Sequence, residues 1–239
     1  MPSVGFVASI ALLLAIGALL VAAHASERAA FGTRDYAAFD RRAALSHRFA
    51  FSAVVLFPLY TLVASPGVGL MLSALLALWC LAWAPVSRRR MVVEASATFA
   101  APPETVASVM FDITGQPGWI DGIVSNVVET PGLVRVGTVI KQTIRIRGHD
   151  LVARCVVTEF VPYERLVYAV MIEGAPTDVF EVKPEGRGAI ARYAGSSTIS
   201  WIAAILGGWR RAALQRQFTA NRAAHLERLR ALVERPALA

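Results

Sequence analysis

Hydrophobic residues in this chain first run unbroken, then alternate, and finally recur every three or four positions. Val4–Ala23 is 20 residues long and apolar except at Ser9, enough to cross about 30 Å of hydrocarbon as a helix. A second apolar stretch, 49–86, is too long for one crossing, and Ser65-Pro66-Gly67 divides it with a strong turn signal. The pattern predicts three transmembrane helices at about 4–23, 49–64 and 68–85, with a polar loop over 24–48. Pro58 falls inside the second, where membrane helices tolerate proline. A shallow re-entrant hairpin over 49–86 is the alternative.

Beyond Arg90 the pattern becomes alternation. Met91–Phe99 puts Val93, Ala95, Ala97 and Phe99 on one face and Glu94, Ser96 and Thr98 on the other, a half-buried strand. Ala101-Pro102-Pro103-Glu104 opens a short helix with Val106, Val109, Met110 and Ile113 inward. Residues 115–122, which include Trp119, read as a bent second helix or a loop. Strands follow at 123–128, 137–147, 150–160, 164–172, 177–183 and 188–199. Their short, turn-rich links argue for an antiparallel meander. After Gly207-Gly208 a long helix closes the chain. Leu214, Phe218, His225, Leu229 and Leu232, with Trp209 and Ala213 a turn earlier, form its apolar stripe. The predicted class is α+β, with a membrane region at 1–90 and a second domain at 91–239 in which the sheet wraps this helix around a cavity.

Charge sharpens the membrane reading. The chain is 56% hydrophobic, with mean hydropathy +0.53, net charge +7 and a pI near 10.1. Five Arg lie in 24–48, three more at 88–90 and seven in 209–239, whereas 92–208 carries nine basic and twelve acidic residues. Basic groups beside apolar spans suit anionic headgroups better than a nucleic-acid groove. Three spans put 24–48 and Arg88–Arg90 on one side, which the positive-inside rule makes cytoplasmic, with the N-terminus outside. The expected location is therefore a bacterial inner (plasma) membrane, multi-pass, with the second domain in the cytoplasm. Ala23-His24-Ala25 resembles a signal-peptidase site, but no Lys or Arg precedes the apolar run. Cys80 and Cys155 lie in a span and a strand, so no disulfide is expected. The four histidines are scattered and predict no metal site.

The chemistry-bearing motifs are few. No nucleophile elbow, P-loop, dinucleotide fingerprint or metalloprotease helix occurs, so no catalytic residue and no cofactor is expected. Polar strand positions that could face a cavity are Arg145, Arg154, Glu159, Tyr168, Asp178, Glu181, Arg192 and Tyr193. Tyr168 shares a face with Leu166, Val170 and Ile172. Arg192 and Tyr193 point to opposite faces, so at most one is inward. Gly207-Gly208 is either a break before the helix or a hinge at the cavity mouth. The Arg-rich side of the last helix (Arg210, Arg211, Arg216, Arg222, Arg228 and Arg230) is a solvated face or one apposed to anionic lipid. Nucleic acid is not expected there, because aromatic interleaving is absent.

Ala101-Pro102-Pro103-Glu104-Thr105-Val106, Asp112 with Gly118-Trp119-Ile120, Val136-Gly137, Val157–Pro162 leading into Arg165-Leu166-Val167-Tyr168, and the closing Arg/Leu helix recur in order. On these the region 92–235 resembles the START-like, helix-grip superfamily (SRPBCC), which includes polyketide cyclases/dehydrases and lipid-transfer proteins. The resemblance implies seven antiparallel strands gripping the C-terminal helix around an apolar cavity. The expected ligand contacts are Trp119, Ile144, Tyr168, Val170, Phe180, Arg192, Trp209 and Phe218. The expected function is non-enzymatic binding of a hydrophobic small molecule or lipid at the membrane. The alternatives are a cyclase/dehydrase-type enzyme on a membrane-borne substrate, and an assembly subunit with a membrane-protein partner.

Overall fold

A computed structural model describes residues 4–87, 91–172, 176–197, 202, 205, 206 and 210–234, with only the backbone at 83–87. Arg88–Arg90, Gly207-Gly208 and Trp209, all used in the reading above, lie outside them. The chain divides into two compact units, one made of 1–89 with 199–209 and the other of 90–198 with 210–239.

In the first unit α1 spans Val4–Phe31, α2 Tyr36–Ala64 and α3 Pro66–Ser87. The expected polar loop over 24–48 is almost entirely helix, and the connection shrinks to residues 32–35. Alanine-rich sequence on both sides of the turn carries the helices past their apolar cores. Asp35 then caps α2 by accepting a hydrogen bond from the Ala37 amide at 2.9 Å. Phe31 meets Phe39 edge-on at 5.3 Å, and Arg42 Nη1 donates to the Ala29 carbonyl at 2.6 Å. The turn between α2 and α3 is the single residue Ser65. Gly69 there lies against the Leu62 backbone with no room for a Cβ.

Among the described residues two of these helices, not three, are long and apolar enough to cross a membrane: Gly5–Phe31 and Tyr36–Ala64. The apolar part described for the third, Pro66–Ala82, is shorter. The surfaces of α1 and α2 are open. Leu14 and Val21 are each 70% exposed, whereas Ala23, Ala30 and Ala53 are buried.

The second unit holds seven antiparallel strands: β1 Met91–Phe99, β2 Ile123–Val128, β3 Val139–Ile146, β4 His149–Val161, β5 Arg165–Val170, β6 Thr177–Glu185 and β7 Gly188–Ser197. They form one sheet in the order β1-β7-β6-β5-β4-β3-β2. The turns have the residues their geometry needs. Arg147-Gly148, both at positive φ, close the two-residue β3–β4 hairpin, and Gly186 at φ +59° opens the β6–β7 one. Between β1 and β2 lie α4 (Pro103–Met110) and a 3-10 turn (Gln116–Gly118). Helix α4 buries Val106, Ala107 and Met110, while Val109, expected inward, is half-buried.

The closing helix, α5, spans Arg211–Val233. It runs beside the edge strand β1. Gln215 Nε2 donates to the Val92 carbonyl, Arg230 Nε and Nη2 to that of Thr98, and the Glu234 carboxylate accepts from the Ala100 amide. Its burial departs from the expected stripe. His225, Leu226 and Leu229 are buried, but Leu214, Phe218 and Leu232 remain 37%, 41% and 39% exposed. A stripe read from apolar residues passes over Arg222, which takes the inward position one turn after Phe218 and fills the space to β7.

Candidate functional site

The register of the sheet decides which side chains meet. Tyr168 lies opposite Asp178, Leu166 opposite Phe180, Phe180 opposite Tyr193 and Asp178 opposite Gly195, so these positions share the inner face. Phe180 stacks on Tyr193 at 4.6 Å between centroids, and Trp119 meets both rings edge-on at 6.1 and 6.0 Å. Tyr168 lies 5.5 Å from Phe180. These aromatic side chains cluster on the inner face of the sheet, and Tyr193 lies 6.1 Å from His225 of α5.

Two polar groups are set into this interior. The first is neutral. Gln116, in the 3-10 turn, accepts from the Tyr168 hydroxyl at 3.1 Å and from Asn126 Nδ2 at 3.0 Å. Asn126 Nδ2 also donates to the Ile113 carbonyl. Burial pushes the Tyr168 hydroxyl well above its usual range, so it stays a neutral donor. Gln116 Nε2, Trp119 Nε1 and Asn126 Oδ1 have no hydrogen-bond partner although they are buried.

The second group is charged. Arg222 Nη2 donates to Asp178 Oδ1 at 3.0 Å, and its guanidinium lies 4.0 Å over the Tyr193 ring. The pair exists because β7 has glycine at 195, where a Cβ would overlap the guanidinium. Burial raises the Asp178 carboxyl, and Arg222 and the Tyr193 hydroxyl offset only part of that effect. Cys155, buried on β4, has its thiol pushed up to about 12 by burial and then by Asp178. His225 Nε2 accepts from the Asp121 amide at 3.2 Å, so the ring proton sits on Nδ1, which has no partner.

Of the expected contacts, Trp119, Tyr168 and Phe180 come together in this interior, and Ile144 and Val170 are half-buried on the same face. Phe218 is exposed, and Trp209 lies outside the described residues. Arg192 is on the opposite face, because its neighbour Tyr193 takes the inward side. There it bridges Glu181 and Glu94, and Glu181 also pairs with Arg165, which reaches Glu159. Arg145 and Arg154 likewise pair outward with Asp150 and Glu129. A groove of about 540 Å³ opens at Pro103, Tyr163, Arg165, Glu181 and Lys183. Nor is the basic side of α5 wholly free: Arg222 turns inward, Arg228 pairs with Asp121 and Arg230 binds β1. Sequence reasoning passed over Gln116 and Asn126. The only signal available was a polar residue at an inward strand register, as Asn126 is opposite Gln142. Among the described residues no cluster of His, Cys, Asp or Glu fits a metal ion.

The profile of the family described as polyketide cyclase / dehydrase and lipid transport matches residues 90–234. The chain belongs to this family. Among solved structures, the di-domain ARO/CYC StfQ from the steffimycin biosynthetic pathway is 18% identical with a TM-score of 0.50, over 61% of this chain and 51% of that one. The likeness to StfQ is one of fold. BexL, a di-domain ARO/CYC from the BE-7585A pathway, is 19% identical with a TM-score of 0.49, over 62% and 51% of the two chains. TTHA0849 from Thermus thermophilus is 20% identical with a TM-score of 0.49, over 59% and 96%. The chain thus spans about half of each ARO/CYC. No curated protein sequence matches it.

The buried histidine gives this family member a pH dependence. Burial lowers the His225 pKa, with the charges of Arg228 and Arg222 adding and Asp121 opposing. A folded-state pKa below the ordinary value of about 6.5 means stability held above that pH and lost as pH falls through the folded value. Protonation puts a hydrogen on Nε2, facing the Asp121 amide, and removes a hydrogen bond worth about 1 kcal/mol. The wild type should therefore lose unfolding free energy between neutral and mildly acidic pH relative to His225→Gln. Chemical denaturation of both proteins across that range checks this, and parallel pH curves would count against it.

Proposed function

We propose that residues 91–239 bind a hydrophobic small molecule or lipid without transforming it, and that residues 1–90 hold this module at a membrane. One observation carries the binding half. Gln116, Trp119 and Asn126, at 0, 1 and 8% exposure, keep unpartnered polar atoms in an otherwise aromatic interior. Such a group costs about 1–3 kcal/mol when left unpaired, and a ligand carrying a carbonyl or hydroxyl removes that cost. Trp119, Tyr168 and Phe180 serve as the walls, Ile144 and Val170 extend them, and the exposed Phe218 lies toward the entrance. Tyr193 takes the lining role first considered for Arg192.

The membrane half rests on α1 and α2, whose leucine and valine side chains face outward along most of their length. The Arg-rich end of this helix pair, within 24–48, belongs on the cytoplasmic side. Placing the 91–239 module on that same side requires α3 to cross as well. Its 22 residues reach about 33 Å as a helix. A second reading, a cyclase- or dehydrase-type enzyme, is favoured by Asp178, Tyr193 and Arg222, which bring three ionisable groups together in the interior.

Native mass spectrometry of the full chain released from mild detergent should find a hydrophobic compound bound. Gln116→Leu should weaken its retention about tenfold, the effect of one hydrogen bond to a buried group. A wild-type protein that is uniformly empty would sink the binding reading. For the orientation, a fluorescent-protein fusion at the C-terminus should be bright and an alkaline-phosphatase fusion inactive. The reverse result would put the module outside and leave α3 uncrossed.

A further inference from the structure

In the interior, among the described residues, five buried polar atoms have no hydrogen-bond partner: Gln116 Nε2, Trp119 Nε1, Arg222 Nη1, His225 Nδ1 and Asn126 Oδ1. The hydrogen bonds already made fix which of them donate. His225 Nε2 accepts from the Asp121 amide, so Nδ1 carries the ring proton. Gln116 Oε1 accepts from Tyr168 and Asn126, which leaves the amide nitrogen as its open group. Four donors therefore stand against one acceptor.

Three of the four donors belong to side chains around one ring. The Arg222 guanidinium lies 4.0 Å over Tyr193, and the rings of Trp119 and His225 are centred 6.0 and 6.1 Å from it. The approach to this cluster is open. Leu214 and Phe218 continue the helix face of Arg222, His225 and Leu229 toward the start of α5, yet they are 37% and 41% exposed. The sheet-facing side of α5 is thus uncovered before Arg222 and packed after it.

We infer that the side chains around Tyr193 form a second polar subsite, in which the N–H groups of Trp119, Arg222 and His225 bind an uncharged carbonyl oxygen of a hydrophobic ester or ketone. This inference rests on the proposed binding of a hydrophobic molecule by residues 91–239 and narrows its class. A carbonyl oxygen has two lone pairs and no proton, so it pairs with two donors and leaves nothing of its own unpaired. An alcohol also brings a proton, and the one acceptor left, Asn126 Oδ1, belongs to the neutral group with Gln116. An ammonium ion brings donors alone, and a like charge beside Arg222. A carboxylate meets Asp178, which already holds Arg222 Nη2 at 3.0 Å and whose carboxyl is raised by burial. The carbonyl carries none of these costs.

The test uses the full chain in mild detergent with probes of one chain length: undecyl methyl ketone, the matching secondary alcohol, tridecanoate and tridecylammonium. Each is added in equal excess, and native mass spectrometry reads the bound fraction. The wild type should retain the ketone about tenfold better than the alcohol, the effect of one buried group left unpaired, and better than either ion. Trp119→Phe keeps an aromatic ring and removes the N–H, so it should bring the ketone-to-alcohol ratio toward one. A loss of packing alone would lower both probes together and leave the ratio unchanged. An unchanged ratio, or a wild type that holds the alcohol or either ion as well as the ketone, would overturn the carbonyl subsite and leave hydrophobic binding in place. The wild-type ranking decides the matter by itself if Trp119→Phe does not fold. Retention of none of the probes by an otherwise empty wild type would overturn the binding reading, and the subsite with it.

Discussion

The contact between Arg222 and Asp178 decides how the closing helix meets the sheet. Four features converge on it. Asp178 is delivered by β6 opposite Gly195, the missing Cβ of Gly195 leaves a seat for the guanidinium, Tyr193 supplies a ring beneath it, and α5 brings Arg222 inward. From this point toward the C-terminus, His225, Leu226 and Leu229 pack in the core. Toward the N-terminus the helix is open. There Gln215 still reaches the Val92 carbonyl of the edge strand.

The interior is therefore divided by charge. Its neutral side, Gln116, Asn126, Trp119 and the Tyr168 hydroxyl, offers donors and an acceptor without ionised groups. On its charged side the Asp178 carboxylate is engaged by Arg222 and Tyr193, and Arg222 Nη1 is left without a partner. A neutral apolar molecule with one polar group fits the first side. Proton transfer would need the second side to open, because the carboxylate is engaged by the guanidinium. That division favours binding over catalysis as the first reading.

Much of the fold was legible from alternation and turn residues. Strands expected at 91–99 and 123–128 end where they do in the structure, because their flanking glycines and prolines mark real turns. The meander order follows from links too short for crossovers. The helical hairpin departs from the sequence reading where composition changes but conformation does not: the charged, alanine-rich segment 24–48 continues two apolar helices and leaves only residues 32–35 as the connection. The site was less legible. Tyr168 and Phe180 could be placed by face, but Arg192 and Tyr193 compete for one inward position and only register chooses between them. Gln116 sits in an irregular turn, where neither period applies. Arg222 reads as part of a solvated basic face until its partner, 44 residues earlier, is placed beside it.

The most direct test is a cycle of unfolding free energies for Gly195→Ala, Arg222→Ala and the double variant. If Gly195 serves to seat the guanidinium, Gly195→Ala expels it and costs about 3 kcal/mol, the low end for breaking a buried pair, since both partners keep some solvent contact. In the Arg222→Ala background the same change should cost nothing, or stabilise by about 0.5–1 kcal/mol as glycine leaves a strand. An equal cost in both backgrounds would contradict the account, because Gly195 would then matter for its backbone and not for the arginine that lies on it.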